Sequence, residues 1–145
     1  MTIEIVNPET YSNISNPQTV FIVVGSLGNG CTSQTPLLLQ VVDAPILVPP
    51  TALEMCDMTE ITGPGPNDEE EPFDLESKTD EITGGDLNIS ITYYETQDDA
   101  DAGTNALTSP YTNIENPQTI FIRAEDLNTG CVVSQGITLS LVTHL

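Results

Sequence analysis

One phrase occurs twice in this chain. "NPQTVFI" runs from Asn16 to Ile22 and "NPQTIFI" from Asn116 to Ile122. Extended at the same offset, Tyr11 to Val42 aligns without a gap on Tyr111 to Val142, and nearly half of the aligned positions are identical. A gapless match of this length marks a tandem array, and an internal repeat resets the domain count before any fold is considered. Residues 1–44 then read as the C-terminal part of one repeat, 45–50 as a linker bearing Pro45, Pro49 and Pro50, and 51–145 as one nearly complete repeat. A unit of roughly 100 residues can bury a core, whereas about 45 residues alone are marginal. The segment is expected to be an excised piece of a longer array.

Charge narrows the function. The chain carries 2 basic and 22 acidic residues, a net charge of −20. Phosphate backbones require clustered Lys and Arg, so nucleic acid is not an expected partner. Anionic membrane surfaces are equally disfavoured. No apolar run approaches the roughly 20 residues of a spanning helix, and no basic segment followed by an apolar one opens the chain. Direct membrane insertion is not expected.

Alternation of apolar and polar residues identifies strands. "NISITYY" (Asn88 to Tyr94) places Ile89, Ile91 and Tyr93 on one face. "QTIFIRAE" groups Ile120, Ile122 and Ala124, and "GITLSLV" groups Ile137, Leu139 and Leu141. "TVFIVVG" and "PLLLQVV" repeat the last two strands in the partial unit, and "IEIV" near the start reads as another. Turn formers separate these runs, among them Asn116-Pro117, Asn128-Thr129-Gly130 and Gly84-Gly85. "DLESKTDEI" (Asp74 to Ile82) and "TQDDADA" (Thr96 to Ala102) predict one or two short helical turns, the second capped by Thr96. "GPGPNDEEEP" (residues 63–72) reads as an exposed acidic loop. About seven short strands per unit predict an all-β fold, an immunoglobulin-like or fibronectin-type antiparallel β-sandwich.

Cys31 and Cys131 occupy the same repeat position, and Cys56 lies near the start of the full unit. One reading is a Cys56–Cys131 disulfide that ties the first strand region to the last and leaves Cys31 unpaired. The other is three reduced, buried thiols. No CxxC or Cys/His cluster supports zinc.

The full unit carries "FDL" (Phe73 to Leu75), "GG" (Gly84-Gly85), "YYET" (Tyr93 to Thr96), "GTNAL" (Gly103 to Leu107), "SPYTN" (Ser109 to Asn113), "NPQTI" and "TGC" (Thr129 to Cys131) behind an early Cys56. In this order the words resemble the tandem repeats of very large Bacteroidota surface proteins, including gliding adhesins exported by the type IX secretion system. The resemblance covers the full unit from about Pro50 and the partial unit from about Tyr11. It implies an extracellular or cell-surface place and a role in adhesion. Family members often carry a "DDDNDG"-like run after the first Cys. Here the chain has "DMTEITGPGPNDEEEP", which lacks that calcium-wrapping character.

Catalysis has little to work with. The single histidine, His144, is the penultimate residue, and no Ser-His-Asp or Cys-His set can be assembled around it. The chain is expected not to be an enzyme and to need no cofactor. Calcium is the one chemical candidate, with Asp98, Asp99 and Asp101 ahead of Gly103, or Asp68, Glu69 and Glu70 in the acidic loop, as hard oxygen ligands. A capped helical turn with solvated acids is the plainer reading of the first set.

The reading that results is a non-catalytic structural or adhesive module, a disulfide-clamped spacer in a long surface protein. Its partners would be neighbouring repeats or neighbouring subunits. One alternative is a calcium-stiffened or glycan-binding module that engages surface polysaccharide. Another is a filament subunit that assembles by strand complementation between chains.

Overall fold

A computed structural model describes residues 3–57 and 68–142. The chain separates into two compact units, residues 1–42 and 43–145. Unit 1 consists of a short 3-10 turn, Pro8–Thr10, and a hairpin of β1 (Gln18–Gly25) and β2 (Thr32–Leu39) in register Gln18↔Leu39 to Gly25↔Thr32. Its sequence twin in unit 2 is the hairpin of residues 118–142. "IEIV" forms no strand. Ile3 and Val6 are exposed, because alternation alone does not hold a segment extended without a neighbouring ladder.

Unit 2 begins with β3 (Leu53–Cys56) and β4 (Pro72–Phe73). A 3-10 turn (Leu75–Lys78) then runs into α1 (Thr79–Thr83). β5 (Ile89–Tyr94), α2 (Gln97–Ala102), β6 (Tyr111–Thr112), β7 (Gln118–Asp126) and β8 (Val132–Val142) follow. Four strands form one sheet in the order β3-β8-β7-β5, and β4 pairs with β6 in a two-stranded ribbon. The fold is all-β, as alternation predicts, with Ile120, Ile122 and Ala124 fully buried and Ile137, Leu139 and Leu141 nearly so.

Two features depart from a plain antiparallel sandwich. First, β3 runs parallel to β8, from Leu53↔Leu139 to Cys56↔Val142. Second, the ribbon and the Leu75–Thr83 helical segment occupy the layer opposite the large sheet, contributing Phe73, Leu75 and Ile82 to the core. A segment too short to be called amphipathic still supplies two core anchors, because Leu75 and Ile82 lie seven residues apart and meet one face. The stretch ahead of β3 is also tied to unit 2. The amide of Val48 donates to the Ile82 carbonyl (3.0 Å), and Leu47 packs on the core.

The repeated phrase has a structural reason. The Asn116 side chain accepts from the Leu141 amide (2.8 Å) and donates to the Leu141 carbonyl (3.3 Å), extending the hairpin ladder beyond its last pair. Gln118 accepts from the Ile114 amide (2.9 Å) and donates to the Tyr111 hydroxyl (3.0 Å). Unit 1 repeats the set. Asn16 holds both backbone groups of Val41 (2.9 and 2.7 Å), and Gln18 holds Ile14 and Tyr11 (2.8 and 2.7 Å). The peptide before proline is cis in both copies.

Candidate functional site

Cys131 sits where the β7–β8 turn delivers the chain into β8. Asp126 builds that turn. Its amide donates to the Cys131 carbonyl (2.9 Å), and its Oδ1 accepts from the amides of Asn128 (2.8 Å) and Thr129 (3.2 Å). Gly130, at φ 73°, closes it with a bond from its amide to the Asp126 carbonyl (2.7 Å). An L side chain at that φ would be strained. Cys56 is the last residue of β3 and lies exposed beside Val142, the last residue of β8. The two thiols are therefore separated by the whole of Val132–Val142, on the order of 35 Å at about 3.3 Å per residue. A disulfide needs Cα atoms within about 7 Å. The Cys56–Cys131 clamp within one unit is thus corrected: the two residues mark opposite ends of the unit. β3 lies along the last four residues of β8, at the end of the strand away from the turn that carries Cys131. Buried thiols are not found either, since Cys31 and Cys56 are exposed and Cys131 is half-buried.

The acidic candidates are engaged in local structure. Thr96 caps α2 in a reciprocal arrangement, its Oγ1 accepting from the Asp99 amide (3.2 Å) and donating to Asp99 Oδ2 (2.8 Å). Asp99 Oδ1 accepts from Asn105 Nδ2 (2.8 Å) and Thr104 Oγ1 (3.2 Å). These donors, Asn105 foremost, hold its carboxyl below the usual carboxylate range. Asp101 Oδ1 accepts from Ser134 Oγ (2.7 Å) and Gln97 Nε2 (2.7 Å), and Ser134 leads the lowering of its pKa. Asp98 stays exposed. Asp68 Oδ1 receives the Glu70 amide (3.2 Å), and Asp68 and Glu69 are exposed. Glu71 departs from the expected exposed loop. It is buried, with its amide on Asn113 Oδ1 (2.8 Å). Among the described residues, no three Asp, Glu, His or Cys side chains converge as a metal site would require. His144 and residues 63–67 of the acidic loop lie outside the described residues.

A model of the Flavobacterium inter-domain disulphide bond domain matches residues 52–144. The chain belongs to this family. No curated protein and no solved structure matches it. Membership ties the chain to Bacteroidota surface proteins, and it changes the reading of the cysteines. A bond between domains wants cysteines at the ends of a unit, which is where Cys56 and Cys131 stand. Such bonds persist in oxidising, extracytoplasmic surroundings, which fits an extracellular or secreted protein. Among the described residues no helix is long and apolar enough to cross a membrane.

Both basic residues of this inter-domain disulphide domain serve its own fold. Arg123 Nη1 donates to the carbonyls of Ala100 (3.0 Å) and Asp101 (3.1 Å) at the C-terminal end of α2. Lys78 Nζ donates to Glu81 Oε2 (2.8 Å) and Thr51 Oγ1 (2.6 Å). Glu81 also receives the Thr51 amide (2.6 Å). The Lys78 bond first, then those of Thr51, bring its carboxyl down to about 2. An open groove of about 480 Å³ lies between Glu76, Thr79, Tyr93, Leu107 and Ser109. Tyr93 in its wall is nearly buried, with its hydroxyl 3.3 Å from Thr79 Oγ1, and its burial raises the phenol pKa. The groove therefore presents no open aromatic face for a sugar ring.

The signal that locates the cysteine poles was present in the sequence. "NTGC" puts Cys131 directly behind a hairpin turn, hence at a strand's beginning, and "LEMC" puts Cys56 at a strand's end. Only the direction of β3 relative to β8 was hidden.

Proposed function

We propose that the chain is a non-catalytic spacer module of a long extracellular surface protein serving adhesion or gliding, and that disulfides between successive units fasten it. The observation that carries this reading is the position of Cys56 and Cys131 at opposite ends of β8. β8 runs from the Cys131 end of the unit to the Cys56 end, where Val142 lies beside Cys56. The early cysteine of each unit then bonds the late cysteine of the next. Each bond removes two protons and two electrons from a thiol pair and passes them to an extracytoplasmic oxidant. Tension along the array is carried across every junction by a covalent bond as well as by the polypeptide. The partners are neighbouring units of the same polypeptide.

Under this rule none of the three cysteines of this chain has its partner within it. Thiol titration in denaturant after oxidative purification should give three thiols per chain. A single remaining thiol would mean an internal Cys31–Cys56, Cys31–Cys131 or Cys56–Cys131 bond and would refute the rule. In a protein made of residues 45–142 twice in tandem, non-reducing peptide mapping should recover Cys56 of the first copy joined to Cys131 of the second. Recovery of the opposite pair, Cys131 of the first with Cys56 of the second, would refute it as well.

A further inference from the structure

The hairpin of unit 1 is built like that of unit 2 and is covered by much less. In unit 2 the inner face of β7–β8 carries Ile120, Ile122, Ala124, Ile137, Leu139 and Leu141, none more than 6% exposed. The same positions in unit 1 are Val20, Ile22, Val24, Leu37, Leu39 and Val41, of which Ile22 is 45%, Val24 64% and Val41 58% exposed. The outer face differs likewise. α2 packs on β7, where Arg123 reaches its carbonyls, whereas Phe21 and Val23 of β1 are 61% and 62% exposed. An apolar surface of this kind, with open strand edges beside it, marks an interaction site.

Unit 2 shows what such a hairpin takes. Among the described residues, most of what covers β7–β8 comes from the first part of the unit. β3 lines the edge of β8 in parallel, and β5 lines the edge of β7 antiparallel. Phe73, Leu75, Ile82 and Tyr93 close the inner face. The acceptor geometry is already set in unit 1, because Asn16 and Gln18 make the same bonds as Asn116 and Gln118.

We propose that the β1–β2 hairpin is an acceptor for the first half of another such unit, a polypeptide of the class of residues 45–110. That segment adds one strand parallel to β2 and one antiparallel to β1, and seats a Phe, Leu, Ile and Tyr plug on Val20, Ile22, Val24, Leu37, Leu39 and Val41. The recognition is β-augmentation with side-chain pockets on one face. Val23 in place of Arg123 makes the outer face apolar, so the helix that follows the donated strand packs there on valine rather than being held by a guanidinium.

The test lengthens the chain by placing a copy of residues 45–110 directly ahead of Tyr11, with every cysteine changed to serine so that the outcome does not depend on the disulfide reading. Hydrogen exchange of the β1 and β2 amides should slow by roughly a hundredfold, moving from the frayed end of the stability range toward that of β7–β8. A second lengthened chain with Phe73→Asp and Ile82→Asp in the added copy only should keep the original fast exchange. Unchanged β1–β2 exchange in the first lengthened chain, with β7–β8 still protected, would overturn the proposal. So would slowed β1–β2 exchange in the second lengthened chain, since something other than the Phe and Ile plug would then cover the hairpin.

Discussion

Glu81 shows how few charges this fold pairs and how closely it pairs them. In a chain with two basic residues, Lys78 is committed to one carboxylate at 2.8 Å, and the backbone and hydroxyl of Thr51 complete the cradle. The cradle fastens the segment ahead of β3 to α1. Because the folded carboxyl titrates at about 2 instead of its ordinary 4.5, the unfolded chain binds the proton more readily. The stabilisation is therefore complete above pH 4.5 and is lost as pH falls through about 2. Denaturant midpoints measured between these limits should fall with acid in the parent protein, and Glu81→Gln should flatten that part of the profile. An unchanged slope would show that the half-buried pair is screened by solvent and contributes nothing measurable.

At the level of elements, the two hairpins compare one sequence pattern in two environments. Ile122 is fully buried and Ile22 is 45% exposed, although they are the same repeat position. Ile122→Ala should cost roughly 2–5 kcal/mol, as aliphatic truncations in packed cores do. Ile22→Ala should change stability by no more than about 0.5 kcal/mol, the usual range for surface positions. Equal effects, read from chemical denaturation of each variant, would mean that the unit 1 face is covered in solution. This comparison also locates what was legible in advance. Strands β5, β7 and β8 and their inward residues could be read because alternation is a local property of the chain. The helical turns at Leu75–Thr83 and Gln97–Ala102 could be read from Asp74, Thr96 and the glycines that follow each one. The direction of β3 could not, because a four-residue strand reads alike in parallel and antiparallel pairing. Hidden with it were the opposite ends of β8 at which Cys56 and Cys131 stand. The burial of Glu71 was equally hidden, since its neighbours Glu69 and Glu70 look the same and the Asn113 side chain that receives its amide lies more than forty positions away.

For the molecule as a whole, the dominant quantity is a net charge of −20 on 145 residues. With both cations used inside unit 2, most of the 22 carboxylates face one another across solvent, and their repulsion favours expansion of the chain. Salt should relieve it. Raising ionic strength from about 0.01 M to about 0.15 M shortens the screening length from about 30 Å to about 8 Å, so repulsion between exposed carboxylates farther apart than that is largely screened. Melting temperature should therefore rise with NaCl, and MgCl2 and CaCl2 at matched ionic strength should act alike. Screening depends on ionic strength, whereas a coordination site depends on the cation. Asp99 and Asp101 already accept from Asn105, Thr104, Thr96, Ser134 and Gln97, so a calcium ion bound there would have to displace hydrogen bonds that brace α2 locally and, through Ser134, tie it to β8. A calcium increment well above the magnesium one, saturating at low concentration and abolished by EDTA, would contradict the screening account. Asp68→Asn with Glu70→Gln, set beside Asp98→Asn, would then tell which of the two acidic segments supplies the ligands.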